Sequence, residues 1–229
     1  MRIGVLGTGT VGTTLAGKLR ELGHDVRVGS RDGSKGDGTF AEVAAHGEVL
    51  LNCTAGTVSL QALEQAGEDN LRGKVLIDVA NPLDFSAGFP PRLSVCNDDS
   101  LAEQIQKRFP ATRVVKALNT VGAPVMVEPG IVPGEHVIFV AGDDAAAKEQ
   151  VMELLASMGW ARERVLDLGG IAASRGPEMY LPLWLSLFGR HGSPLLNIQV
   201  LHGAAPAGWL GVCQHRASRH THDEKGRAA

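Results

Sequence analysis

The chain predicts a doubly wound α/β fold, with a mainly parallel sheet and a small C-terminal helical extension. Three observations carry that expectation. Short apolar runs alternate with amphipathic segments along most of the 229 residues, the pattern of strand–helix–strand units with right-handed crossovers. A glycine triplet, Gly7-Thr8-Gly9-Thr10-Val11-Gly12, stands between the first apolar run and the first amphipathic segment. Glycines also close successive segments, at Gly23, Gly47, Gly67 and Gly159.

Taken in order, Ile3–Leu6 is a strand, and Leu15, Leu19 and Leu22 mark one face of the helix that follows. His24–Val28 is the second strand. Phe40–His46 is a short helix, Val49–Cys53 a buried strand and Ser59–Ala66 a helix. Val75–Val79 is the fourth strand and opens a long loop over residues 81–98. Asp99 or Ser100 caps a helix over Leu101–Phe109, with Glu103 at the spacing of a capping box. Arg113–Ala117 and Val137–Val140 are the fifth and sixth strands. Asp143 or Asp144 caps a helix to about Met158, Val165–Leu168 is the last strand, and a late helix covers Glu178–Gly189. From Gly203 the tail is polar and aperiodic and reads as disordered, with Cys213, His215, His220 and His222 at irregular spacing.

An apolar strand entering Gly-x-Gly-x-x-Gly and leaving as a helix is the Rossmann turn that binds a dinucleotide. Gly7 permits the tight turn, Gly9 lets the backbone approach a pyrophosphate, and Gly12 allows close helix–strand packing. The helix N-terminus offers the N–H groups of Thr10, Val11 and Gly12, with Thr8 beside them. The end of the second strand selects the dinucleotide. An NAD-binding chain carries Asp or Glu there for the ribose hydroxyls, whereas this chain has Gly29-Ser30-Arg31. Ser30 and Arg31 suit a 2′-phosphate, with Lys35 as a third contact. At about 1.5–3 kcal/mol for each charge-assisted hydrogen bond, they favour NADP by roughly two orders of magnitude. Asp32 offers the alternative of a ribose contact. The organisation expected is therefore an NADP(H)-binding Rossmann domain over residues 1–142, an α/β extension over 143–202 packed on it, and the tail over 203–229.

Composition narrows the function classes. A formal net charge of −3 gives no reason to expect nucleic acid or an anionic membrane as partner. The cysteines, Cys53, Cys96 and Cys213, form no Cys-x-x-Cys pair and no zinc spacing. No metal is expected, Cys53 is read as a buried core thiol, and a reducing cytoplasm is the expected compartment. The first strand is too short for a signal peptide, and no run of about 18 apolar residues appears to span a membrane.

A proton donor for the chemistry is not evident. Lys116 faces a neighbouring helix or the site rim, His136 caps a loop, Tyr180 is a core or interface aromatic, and Arg175 and Glu178 are spaced to pair with each other. None forms a Ser-His-Asp, Cys-His or paired-carboxylate set. Hydride transfer between two planar rings needs chiefly that they be held face to face. The turns Thr54-Ala55-Gly56-Thr57, Ala80-Asn81-Pro82 and Leu118-Asn119-Thr120 suit that task. Thr54, Ala55, Asn81, Pro82 and Asn119 are the candidates, with Asn81 and Asn119 on the nicotinamide or the second substrate.

Together these residues resemble the NADPH-dependent oxidoreductase family typified by the reductase of the deazaflavin coenzyme F420. The resemblance lies in Gly7–Gly12, Val28-Gly29-Ser30-Arg31, Asn81-Pro82-Leu83 and Ala117-Leu118-Asn119-Thr120. It covers about residues 1–201 and is strongest in the first third. It implies a compact dinucleotide domain with a small C-terminal lobe, a homodimer, and hydride exchange between NADPH and a planar small-molecule acceptor, F420. The chain departs from the archetype at Asn119, where the family has His, and in a phosphate loop one residue tighter. Other readings are an imine, β-hydroxyacid or flavin-linked reductase, or an NADP(H) sensor without turnover. Imine and β-hydroxyacid reductases carry a helical domain of about a hundred residues, for which too little chain remains after the sixth strand.

Overall fold

The computed structural model describes residues 1–203. Strand β1 (Arg2–Leu6) passes through the glycine turn into α1 (Thr10–Glu21), and β2 (Asp25–Ser30) returns beside it. Then come β3 (Gly38–Thr39), α2 (Phe40–His46), β4 (Val49–Asn52), α3 (Ser59–Ala66), α4 (Glu68–Leu71) and β5 (Val75–Asp78). The hairpin β6 (Leu83–Asp84) and β7 (Arg92–Leu93) precedes α5 (Leu101–Arg108), β8 (Arg113–Ala117), α6 (Ala123–Val127) and β9 (Ile138–Ala141). The described elements end with α7 (Ala145–Ser157), β10 (Val165–Asp167), α8 (Arg175–Met179) and α9 (Leu181–His191). The tail read as disordered, with its Cys and His set, lies outside the described residues from residue 204 onward.

Eight strands form one sheet in the order β10-β9-β8-β5-β4-β1-β2-β3. Neighbours run parallel except at β8 and β9, where Lys116 faces Ala141 in an antiparallel pair. Strand order reverses between β1 and β4, so the crevice beyond their carboxyl ends is the ligand position such sheets favour.

Alternation along the strands builds two apolar layers. Ile3, Val5, Val49, Leu51, Val75, Ile77 and Val115 face α1, α6 and α7, where Leu15, Leu19, Val125, Val151 and Leu155 meet them. Leu6, Leu50, Leu76 and Val114 face the opposite layer of Val43, Leu63, Leu101, Ile105 and Phe109. Residues Met1–Gln199 form one compact unit.

The helix starts follow local chemistry, with corrections. Ser100, not Asp99, caps α5, accepting from Glu103 N. Glu103 answers the Ser100 hydroxyl rather than its backbone N–H. Asp144 caps α7, whereas Asp143 receives the Ile171 N–H at 2.8 Å. The reciprocal capping box is at Thr39 and Glu42, which the periodicity did not reveal. The late helix is two: α8 ends at Met179 and α9 begins at Leu181, because Pro182 has no N–H to continue the ladder. The long loop over 81–98 holds the β6–β7 hairpin, with Leu83 opposite Leu93.

Candidate active site

The glycine turn sits at the crevice. Gly7 has φ +121°, and a Cβ there would lie 2.6 Å from the Cys53 carbonyl oxygen. A Cβ on Gly12 would lie 2.1 Å from the Gly7 carbonyl oxygen, so the first turn of α1 packs directly on the loop. Around Gly9 the space is open, with no atom within 4 Å of a Cβ built there. Gly9 caps α1 without a side-chain hydrogen bond, and no acidic residue occupies the first turn. The N–H groups of Thr10, Val11 and Gly12 have no intrahelical partner and face an approach that a pyrophosphate fits.

Beside it lies a cavity of about 350 Å³ lined by Gly7, Thr8, Ser30, Arg31, Lys35, Thr54, Gln61 and Gln65. Ser30 is buried at the end of β2, and its Oγ accepts the Lys35 backbone N–H at 3.1 Å, which leaves its own hydrogen free to donate. Arg31 and Lys35 are exposed and form no ion pair among the described residues. Asp32 also lines this cavity. Its Oδ1 accepts the Ser34 hydroxyl at 2.7 Å and the Ser34 N–H at 3.0 Å, and these bonds hold its carboxyl below the usual range. Asp37 pins the same loop to β2, accepting Val28 N and an Arg20 Nη2 at 2.8 Å each.

Thr54 borders this cavity and a second, of about 460 Å³, with Val11, Cys53, Ala55, Asn81 and the hairpin residues Leu83 to Ser86. Cys53, half-buried as a residue, packs against the core as expected and also lines this cavity; burial, with the Asp78 carboxylate nearby, pushes its thiol pKa up. A third, apolar cavity of about 670 Å³ shares Val11, Asn81 and Leu83 with the second. Its far wall is α9, where Trp184 and Phe188 stack at 5.5 Å with 4° between planes.

Asn81 and Asn119 are brought together between these cavities. Asn81 Nδ2 donates to the Asn119 carbonyl and Asn119 Nδ2 to Asn81 Oδ1, each at 2.9 Å. Asn119 Nδ2 also reaches the Pro177 carbonyl at 3.1 Å. Leu118, buried just before it, has φ +66°, a left-handed conformation a branched side chain adopts only when its surroundings hold it there. Thr10 lines the apolar cavity. Pro82 lies buried behind the turn, its carbonyl accepting the Ser94 N–H at 2.8 Å. A further depression, about 950 Å³ between α5 and the start of α7, shares no residue with this region. Among the described residues, no cluster of His, Cys, Asp and Glu is placed to hold a metal ion, and no helix is long and apolar enough to cross a membrane.

Beneath the carboxyl ends of β4, β5 and β8 runs a buried polar row. Register places Asn52 beside Asp78 and Asp78 beside Lys116. Lys116, 1% exposed, donates to Asp78 Oδ2 and contacts Glu178 Oε1, each at 2.8 Å, and donates to the Ala80 carbonyl. Burial opposes its charge, but the two carboxylates outweigh that and hold its pKa above the ordinary value. Glu178 is pushed up by burial, while the Leu101 and Ala102 N–H groups at the start of α5 stabilise its charge. The Arg175–Glu178 pairing expected from spacing does not form: Arg175 binds Glu103 at 2.6 Å, because Glu178 points into the row. Lys116 therefore faces α8, not the site rim. His136 does cap a loop, through the Pro129 and Val132 carbonyls. The residues that sequence reasoning missed are Gln61 and Gln65 and the linkage of this row; the loop after the fourth strand and the late helix were expected beside the acceptor, without the hairpin pairing or the Trp184–Phe188 stack.

A doubly wound sheet with this turn, this cationic loop and these joined cavities defines a dinucleotide-binding oxidoreductase domain. Residues 2–82 match the family model described as NADP oxidoreductase, coenzyme F420-dependent. The F420-dependent NADP reductase of Methanothermobacter marburgensis is 30% identical over 214 residues, covering 82% of this chain and 92% of that protein. A crystal structure from Arthrobacter sp. FB24, assigned as an F420-dependent NADP reductase, shares 47% identity at a TM-score of 0.84, covering 88% of this chain and 100% of the other. The metalloreductase STEAP3 of Rattus norvegicus is 31% identical over 80% of this chain, which spans only 38% of that relative's length. The chain belongs to the F420-dependent NADP oxidoreductase family.

Proposed function

We propose that the protein transfers hydride between NADPH and the deazaflavin coenzyme F420. The observation that carries the reading is the meeting of the second cavity with the apolar third one at Asn81, which is hydrogen-bonded to Asn119; the Trp184–Phe188 stack also lines the third cavity. When bound, NADPH supplies the hydride. The α1 N-terminus binds its pyrophosphate and Ser30, Arg31 and Lys35 its 2′-phosphate. Thr54, Asn81 and Asn119 orient the nicotinamide, and none of the three titrates near neutrality, so their work is positioning. Val121, Leu181 and Trp184 exclude water and supply an apolar wall for a flat acceptor.

A homodimer is part of the reading. It is supported by α9, apolar from Leu181 through Leu185, although only Leu181 is buried and Leu183 is 56% exposed. Cys53 and Cys96 are free thiols, which supports a reducing, cytoplasmic setting. The test is spectrophotometric: purified protein with NADPH and F420, with NADH and a flavin as parallel controls. Bleaching of the deazaflavin band by NADPH and not NADH is expected. NADPH binding without reduction of F420 overturns the acceptor assignment.

A further inference from the structure

Asn52 and Asp78 of the buried row each precede a residue that lines the second cavity, Cys53 and Val79. Lys116 uses its three N–H bonds on Asp78, the Ala80 carbonyl and Glu178. Ala80 is followed by Asn81, and Glu178 is preceded by Pro177. The Asn119 amide bridges the same two segments, through Asn81 Oδ1 and the Pro177 carbonyl. Ammonium and amide thus tie the Ala80–Asn81 turn and α8 to β8 and its following turn. At the other end of the row, Asp78 Oδ1 accepts Asn52 Nδ2 at 2.8 Å, and Asn52 Oδ1 accepts the Thr54 hydroxyl at 2.7 Å. A buried ion group is desolvated at a cost that apolar residues of similar volume avoid, so stability is a poor reason for its place. Its bonds instead fix, at one depth, the three turns that flank the cavity junction.

We propose that Lys116 is the positioning residue of the hydride-transfer site: its ammonium locks the Ala80–Asn81 turn against β8 and α8 and so sets where Asn81 and Asn119 hold the nicotinamide. The identity of that ring rests on the NADPH reading above. The clamp itself rests on the geometry.

The experiment compares the full-length protein with Lys116→Met and with the double variant Asp78→Asn, Lys116→Met. The single change leaves two buried carboxylates without their cation. The double change removes one of those charges and leaves Glu178 on the Leu101 and Ala102 N–H groups. Three readouts are taken: affinity for adenosine 2′,5′-bisphosphate, the fluorescence change of NADPH on binding, and the rate of F420 reduction at saturating NADPH. Bisphosphate affinity should stay at the wild-type value. The NADPH fluorescence change should be lost, and the rate should fall roughly 100-fold, the scale of an ångström's misplacement. A double variant that keeps the fluorescence change and the rate overturns the proposal. So does a parallel loss of bisphosphate binding, which marks a general structural defect. If the wild-type protein does not reduce F420, the acceptor assignment falls, and the fluorescence and bisphosphate readouts still decide the role of Lys116.

Discussion

Arg31→Ala tests the cofactor assignment most directly. Arg31 is exposed at the lip of the 350 Å³ cavity, two residues beyond Gly29 and next to buried Ser30. It has no ion pair among the described residues, and Asp32 beside it is engaged with Ser34. The guanidinium is therefore uncommitted and can grip a phosphate with its planar fork. A charge-assisted hydrogen bond contributes about 1.5–3 kcal/mol, and exposure to solvent and salt places this one at the low end. A loss near 1.4 kcal/mol is about tenfold in affinity. NADPH binding should weaken by that factor, while NADH, which has no 2′-phosphate, should bind as before. Removing an exposed, unpaired side chain should leave thermal stability within about 0.5 kcal/mol, so a binding loss cannot be charged to unfolding. Fluorescence titration with both nucleotides at two salt concentrations makes the measurement. Unchanged NADPH affinity, or an equal loss for NADH, would refute the phosphate clamp.

Four further outcomes are expected. Gly12→Ala drives a methyl group to 2.1 Å from the Gly7 carbonyl; it should cost about 1–3 kcal/mol of stability and abolish NADPH binding, and native melting with native binding would contradict it. Trp184→Ala should raise KM for the acceptor by up to roughly tenfold, the worth of an aromatic stack, while leaving the NADPH Kd unchanged in the same titration. Leu183→Asp should shift the protein from dimer to monomer in light scattering; a wild-type monomer would remove that reading. The Arg175 guanidinium holds the Glu103 carboxyl below its ordinary value of 4.5, so on acidification the unfolded chain takes up that proton first. The pair's stabilisation is full above the ordinary value and is lost as pH falls through the lower folded one. Glu103→Gln should therefore flatten the acid side of a plot of Tm against pH, and an unaltered slope would refute the pairing.

Much of the site's cofactor half was legible because its signals are local. The glycine triplet and Ser30–Arg31 lie on consecutive residues at strand ends, and the backbone they require is short-range. The hairpin was invisible in residues 81–98 because two-residue strands carry no periodicity. The antiparallel pairing of β9 with β8 was equally hidden, since Val137–Val140 reads the same in either direction. Arg175 and Glu178 were mispaired because spacing on one helix cannot compete with a cation on another strand.

The sequence by itself determined the doubly wound alternation, the glycine turn that opens α1 and the Ser30–Arg31 end of β2, all of which follow from residue type at adjacent positions. Tertiary structure alone decided the Asn81–Asn119 pair, 38 residues apart, and the Lys116 clamp, whose Glu178 also caps a helix start 77 residues before it. It likewise decided that Trp184 and Phe188 stack along the wall of the apolar cavity. The reason is physical: a buried polar group takes whichever partners folding brings within about 3 Å of it, and an aromatic face becomes a wall only where another element leaves space before it.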